Sequence, residues 1–394
     1  MACLTTPPTS VSISLFSHRC LRLGAAAALL ALLAACASRT PDVPVPTDDP
    51  RAIGQVEEAP PTGPAIERER SRWTPVRWAD LPGFEADDLG GAWDAWVRSC
   101  ERPGTTFAPL CSQVRRLALG TDAERRAWMR ARLQPYRVQA RTGQTQGLLT
   151  GYYEPLFEAS RHRQPGFQVP LYAPPHGHKQ GKRWYTRQQM EQNANARAQL
   201  AGREIVWLRE PVESMILQIQ GSGRALVHEP DGSQQVVRLA FGGTNGHPYS
   251  SPGRWLLAQG VTDDATWPGI RAALAANPHL ERPFMWSNPR VIFFKEERID
   301  AADSQAGPKG AQGVPLTPGR SIAVDPKSIP YGTPVWLASS GPAGTLQRLV
   351  LAQDTGSAIT GAVRADYFAG LGDAAGEVAG HMRQPLQLWV LWPK

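Results

Sequence analysis

Metal-ligand spacing is missing from this sequence. Its eight histidines include no His-x-x-x-His pair, and Cys100 and Cys111 lack zinc-ligand spacing. A zinc enzyme is therefore not expected, and neither a metal nor a cofactor is. There is no phosphate loop and no Gly-x-Gly-x-x-Gly following a strand, which argues against nucleotide chemistry. Gly-x-Ser-x-Gly is also absent. Gly221-Ser222-Gly223 reads as a tight turn, not as a strand-to-helix nucleophile elbow. No apolar run reaches 18 residues, so no membrane-spanning helix is expected. No repeat of solenoid length occurs.

Glycine and proline are abundant, 37 and 36 among 394 residues. Both break helices, so a helical bundle throughout is excluded and short strands with many loops are expected. The length admits two to three domains and a sizeable core. Residues 1–35 read as a secretory leader. Arg19 and Arg22 precede an apolar stretch from Leu23 to Ala35, too short to span a bilayer. It ends Leu33-Ala34-Ala35-Cys36, which resembles the bacterial lipobox, where cleavage exposes a cysteine for acylation. An ordinary cleaved signal with a chance Cys36 is the alternative. Ala37 in place of Asp points to sorting to the outer membrane, facing the periplasm. Loss of the leader lowers the formal net charge from +7 to +5. In an exported protein this mild basicity suits anionic lipid or wall polymer, and nucleic acid is not an expected partner. Cys100 and Cys111 then remain as an even pair in an oxidising compartment. A disulfide is expected, with two buried thiols as the alternative.

Residues 36–70 are rich in Pro and acid and read as a tether. Order is expected from Trp73. Ala86 to Cys100 has near-helical apolar spacing, and Thr121-Asp122-Ala123-Glu124 opens a helix as a capping box. Extended, alternating style follows at Tyr136–Ala140 and Gly147–Phe157. A second capping box starts at Thr186. Short strands are expected at Ile205–Leu208, Met215–Gln220, Arg224–His228 and Gln235–Phe241, with Asp231-Gly232 as a hairpin turn. Helices are expected at Arg254–Gln259 and Pro268–Ala276. Strands return at Arg290–Phe294, Arg320–Val324, Thr333–Leu337, Gln347–Ala352 and Leu386–Leu391. Asp300 to Gly313 reads as a polar surface loop. The sum is mainly β, α+β in class, with helices before the first strands. The 13 tryptophans sit mostly at core spacing.

The chemistry is densest at the C-terminus. An apolar strand ending at Ala352 delivers Asp354 into the glycine-containing turn Gln353-Asp354-Thr355-Gly356-Ser357. Asp325 follows Ile322-Ala323-Val324 in the same way, and Arg364-Ala365-Asp366-Tyr367-Phe368 comes next. Three carboxylates brought together would push one another's pKa values apart and leave one protonated. Taken singly, each Asp also suits a turn or a cap. Asp354-Thr355-Gly356-Ser357 has the form of the pepsin-like protease signature, but only one copy is present and two Asp must share the proton.

Several motifs occur in a fixed order: Gly151-Tyr152-Tyr153-Glu154-Pro155, Gln220-Gly221-Ser222-Gly223, Gly243-Thr244-Asn245-Gly246-His247-Pro248-Tyr249, Asn288-Pro289 with Phe293-Phe294, and Arg320 to Pro326. They precede the Asp354 to Gly380 block. From about residue 75 to the end the chain resembles the membrane-bound lytic murein transglycosylase A family. The resemblance implies a double-psi β-barrel interrupted by a smaller inserted β domain, with a sugar groove between them. It implies departure from the barrel at Glu154-Pro155 and return at Asn288-Pro289. The expected domains are a leader (1–35), a tether (36–70), a first barrel part with N-terminal helices (71–155), the insert (156–287) and a second barrel part (288–394). The family's three aspartates correspond to Asp325, Asp354 and Asp366, with Asp366 as the acid and the other two as supports. Cys100, Cys111 and the long 300–313 loop lie outside the family pattern and inherit no role.

The implied reaction cleaves the MurNAc–GlcNAc β-1,4 bond of peptidoglycan glycan strands. The C6 hydroxyl of the same MurNAc attacks its own C1 and gives a 1,6-anhydro end, so one carboxyl group can serve as acid and then as base. Tyr152, Tyr153, Gln220, Asn245 and Tyr249 are the candidate sugar contacts; barrel-edge packing is the alternative for each Tyr. Two other functions remain: a hydrolase, glycosidase or aspartic protease-like, using an Asp pair, and a wall-binding lipoprotein without activity.

Overall fold

A computed structural model describes residues 61, 63–179, 181–299 and 304–394. The leader, Cys36 and nearly all of the tether lie outside the described residues. Among the described residues no helix is long and apolar enough to cross a membrane.

Fifteen strands are described: β1 (Ile66–Glu67), β2 (Arg72–Pro75), β3 (Leu133–Gln139), β4 (Gly147–Glu154), β5 (Leu156–Ser160), β6 (Val169–Tyr172), β7 (Glu204–Leu208), β8 (Gly223–His228), β9 (Gln234–Thr244), β10 (Ile292–Arg298), β11 (Ser321–Val324), β12 (Pro334–Gly341), β13 (Gly344–Asp354), β14 (Arg364–Leu371) and β15 (Arg383–Pro393). Nine form one sheet, ordered β1-β2-β3-β15-β12-β13-β11-β14-β4. A further pairing of β15 with β4 closes six of them into a ring. Two pairs in the ring are parallel, β11 with β13 and β14 with β4. Closure removes the free edges that an open sheet would expose. It needs β4, which precedes the middle section of the chain, and five strands that follow it.

Alternation sorts the ring's side chains by face. Leu149, Ile322, Val324, Val335, Leu337, Val350, Ala352, Ala365, Leu388 and Val390 pack into one interior cluster. Trp336, Leu349, Leu351, Trp389 and Leu391 point the other way, against the helices Gly90–Ser99, Cys111–Arg116 and Asp122–Arg132. The last of these starts at the expected capping box, with Thr121 and Glu124 bonded reciprocally. Trp93, Trp96 and Trp128 meet there at 5.2–5.7 Å, the two pairs with Trp128 edge to face and the Trp93–Trp96 pair tilted. Six of the 13 tryptophans are buried and none is exposed. Cys100 and Cys111 are joined by a disulfide between the first two of these helices, Cα atoms 5.5 Å apart.

The second sheet has the order β10-β9-β8-β5-β7-β6. The chain crosses into it at Pro155, between β4 and β5. Met215–Gln220, read above as a strand, is instead the end of the helix Pro211–Gln220. Pro211 sits at its first turn, Glu210 and Glu213 cap it reciprocally, and Val212, Met215 and Ile216 bury one face. Asn288-Pro289, expected as the return to the barrel, comes too early. β10 follows it and pairs with β9 along seven residues. The chain rejoins the ring only at Ser321. Helices also lie later, at Trp267–Ala276, where one was expected, and at Glu281–Trp286 and Gly372–His381, where none was. β14 and Gly372–His381 escaped the sequence reading because glycine masked their periodicity.

Candidate active site

Asp354, Ala323, Asp366 and Thr150 form one row across four neighbouring strands. Ala323 pairs with Asp354 of β13 on one side and with Asp366 of β14 on the other, and Asp366 pairs with Thr150 of β4. Strict alternation would not produce this row. Val350 and Ala352 face the interior, so Asp354 should as well. A register shift between Ile322 and Ala323 skips Gln353 and carries Asp354 to the same face as Asp366. Gln353 turns instead to the helix Gly90–Ser99. Its Nε2 donates to Ala95 O and Ser99 Oγ at 2.8 Å, and its Oε1 accepts from Ser321. The residue left out of the ladder thus anchors the strand end that presents Asp354.

Both carboxylates are half-buried. Asp354 Oδ2 accepts from the Tyr152 hydroxyl at 2.9 Å, and its Oδ1 accepts from the Ala311 N–H at 3.0 Å. Burial pushes Asp354 up to about 6, against the hydrogen bonds from the Thr355 and Ala311 backbone and from Tyr152; the nearby Asp366 charge adds to the rise. Burial also raises Asp366, opposed by a hydrogen bond from Thr150 Oγ1 to its Oδ1 and by the Arg364 charge. Arg364 donates to Thr150 Oγ1 at 2.8 Å. The Tyr152 ring packs on Phe368, centroids 5.3 Å apart. Burial first, then the Asp354 and Asp366 charges, hold its phenol well above the usual range.

Asp325 is not in the row. It is 4 % exposed, and its carboxylate accepts from Lys327 N at 3.0 Å and Gly361 N at 2.8 Å, with Arg70 Nε at 3.5 Å. It holds the end of the 354–361 turn, through backbone N–H groups. Gly361 takes a φ of +117°, a conformation that favours glycine.

Of the expected sugar contacts, only Tyr152 reaches the carboxylates. Gln220 Oε1 accepts from the Tyr153 backbone N–H at 3.1 Å, tying the inserted helix Pro211–Gln220 to β4. The Tyr153 ring packs with that helix and against Gly376, where an added Cβ would come within 2.9 Å of it. Asn245 is fully buried. Its Nδ2 donates to Tyr185 O and Pro289 O, and its Oδ1 accepts from Val291 N and His247 N. That amide has nothing left for a sugar; it holds a loop. Tyr249 is half-buried four residues further on.

The sequence reading missed Thr150, Arg364 and the 304–317 segment. Thr150 lies two residues before Tyr152 and so shares its face, a signal legible once β4 is known to be a barrel strand. The segment expected as a surface loop is, where described, a wall of the site. Ser304 O and Ala306 O accept from Arg224 and Arg238, and Ala311 N–H reaches Asp354. A Cβ at Gly307 would lie 2.5 Å from the Phe368 ring. Arg224 and Arg238 both hold Glu154, whose side chain is wholly buried at the end of β4. Among the described residues no group of three or more His, Cys, Asp or Glu could hold a metal ion.

Two family models match the chain. One, described as the MltA specific insert domain, covers residues 148–295, and the other, the 3D domain, covers residues 320–392. A curated relative, the membrane-bound lytic murein transglycosylase A of Vibrio cholerae, is 31% identical over 262 residues, covering 63% of this chain and 67% of that protein. Among solved structures, the lytic transglycosylase LtgG of Burkholderia pseudomallei is 42% identical with a TM-score of 0.58, covering 85% of this chain and 98% of that one. MltA from Neisseria gonorrhoeae is 28% identical with a TM-score of 0.70, covering 85% and 96%.

Proposed function

The chain belongs to the membrane-bound lytic murein transglycosylase A family, and we propose that Asp366 is the single acid and base of its reaction, with Asp354 as the neighbour that keeps it protonated. The protein is a peptidoglycan lytic transglycosylase, an enzyme of the lyase type. The observation that carries the residue assignment is the row itself: two half-buried carboxylates, one on each side of a small Ala323, both raised by burial. Ionising both is unfavourable, so the pair holds a proton at mildly acidic pH.

The steps balance with one carboxyl group. Asp366 gives its proton to the glycosidic oxygen as the bond to C1 of MurNAc breaks through an oxocarbenium-like state. The C6 hydroxyl oxygen of the same sugar bonds to C1, and its proton passes to the Asp366 carboxylate. The acid is restored, the leaving GlcNAc carries a hydroxyl, and a 1,6-anhydro end remains. An intramolecular nucleophile brings a large proximity advantage. Tyr152 holds Asp354 in place, and Asp325 holds the turn beyond it.

The same reading divides the chain into leader, tether, barrel and insert. The ring that needs β4 from before the insert and β11 to β15 from after it supports that division. It also places acylated Cys36 in the outer membrane, with the enzyme facing the periplasm. The lipobox-like Leu33-Ala34-Ala35-Cys36 supports the anchor. Labelled palmitate entering a Cys36→Ser variant would contradict it.

The deciding experiment is mass spectrometry of muropeptides released from purified sacculi by the soluble part from about residue 70, with and without Asp366→Asn. Anhydro ends from the wild type and none from the variant are expected. Reducing ends would mean hydrolysis, and an active Asp366→Asn would remove the residue assignment.

A further inference from the structure

We propose that Arg364 is a positioning residue for the acid: by donating to Thr150 Oγ1 it leaves the threonine proton directed at Asp366 Oδ1, and so reserves Asp366 Oδ2 for the proton that is transferred. The inference rests on Asp366 being the acid.

Hydrogen-bond direction carries the argument. A guanidinium has donors and no acceptor. At 2.8 Å from Arg364 Nη2, Thr150 Oγ1 must accept. Its single proton is then free to donate, and the Asp366 Oδ1 atom is its partner. A carboxylic acid whose Oδ1 accepts such a bond carries its own proton on Oδ2. Without Arg364 the hydroxyl could turn and accept from the acid instead. The acid proton would then point into the protein and away from substrate.

Arg364 is itself held. Its Nη1 donates to Leu148 O of β4 at 3.3 Å and to Ala365 O. The guanidinium thus bridges β14 and β4 one step from the row. It makes no direct bond to Asp366, which distinguishes this arrangement from a salt bridge that would keep the carboxylate ionised. Other charged or titratable groups around the row are Asp354 of β13, the Tyr152 phenol of β4, the Tyr331 phenol, which feels the Asp354 charge, and the exposed Arg383 of β15, paired with Thr150. β11 contributes only Ala323, and the helix Gly372–His381, packed on β4, brings Ala379 against Gly151.

The test is a set of pH–rate profiles for the enzyme on sacculi. Arg364→Met should lower kcat about 10-fold with KM nearly unchanged, since orientation matters in the transition state more than in binding. Loss of the cation should also move the basic limb toward higher pH, because the Arg364 charge holds Asp366 down. Arg364→Lys should keep the limb near its wild-type place and recover only part of kcat. Thr150→Val should lose turnover that Thr150→Ser restores. If Arg364→Met destabilises the fold, the Arg364→Lys and Thr150 pairs carry the test alone. Wild-type kcat and pH profile in Arg364→Met, or equal activity in Thr150→Val and Thr150→Ser, would overturn the inference. Asp366→Asn is the control: if it stays active, the acid assignment has failed, and not the role of Arg364.

Discussion

Buried acid is handled in two opposite ways in this molecule. Glu154, at the junction of the two sheets, has each oxygen on a guanidinium, Arg238 at 2.8 Å and Arg224 at 2.9 Å. Asp354 and Asp366, further across the same barrel, have no cation bonded to either carboxylate in the described structure. They are held by backbone N–H groups and two hydroxyls. The first arrangement neutralises charge permanently and fastens Ser304 and Ala306 to the junction. The second leaves neutralisation to a proton. A carboxylate matched by arginines is architecture, whereas one matched by a proton can act as an acid.

The largest effect is expected from Asp366→Asn. Acid–base groups contribute about 10²- to 10⁴-fold each, and the proposed mechanism gives one residue both steps, so nearly all turnover should go. Binding of glycan to the variant, followed by co-sedimentation with sacculi, should persist because the amide keeps the shape. Glu154→Ala tests the other side of the comparison. It strands two guanidiniums, and removing one partner of a buried ion pair costs about 3–5 kcal/mol, so the urea midpoint should fall sharply. If stability barely changes, the junction is not the clamp its geometry implies.

Asp354→Asn should have a smaller effect with a distinctive pH dependence. A folded value of about 6 against an ordinary 3.8 means that the native state binds the extra proton between those limits. Stability from this group is therefore full below about pH 4 and is lost as pH rises toward 6. At about 1.4 kcal/mol per pH unit the loss is at most about 3 kcal/mol. The Asn variant should lack this decline, so its stability relative to wild type should improve across that window. Its pH–rate profile should move toward acid where wild-type Asp354 is ionised, above about pH 6, because the charge that opposes ionisation of Asp366 is then gone. Tyr152→Phe sharpens the picture least. It removes one hydrogen bond to Asp354, worth about 0.5–1.5 kcal/mol, and should raise Asp354 further. Denaturation at two pH values would show both.

The sequence alone determined the local pieces: capping boxes at Thr121 and Thr186, most strand cores from apolar alternation, the Cys100–Cys111 pair from compartment and count, and two strand-end aspartates, Asp325 and Asp354. Each depends on neighbours a few residues away or on composition. Their roles were decided elsewhere. Asp325 and Asp354 look alike in sequence, each ending an apolar strand, yet one ties a turn and the other joins Asp366. What separates them is a register shift between β11 and β13, which depends on pairing partners distant in the chain. The 304–317 segment looked like a free loop because polar and glycine residues give no periodicity, and its place against Phe368 and Asp354 comes from packing between the sheets. Thr150 and Arg364, 214 residues apart, meet only because β4 and β14 run parallel in the closed ring. Local chemistry specifies which residues can carry a proton. Only strand pairing across long sequence separations decides which two carboxylates come into one row.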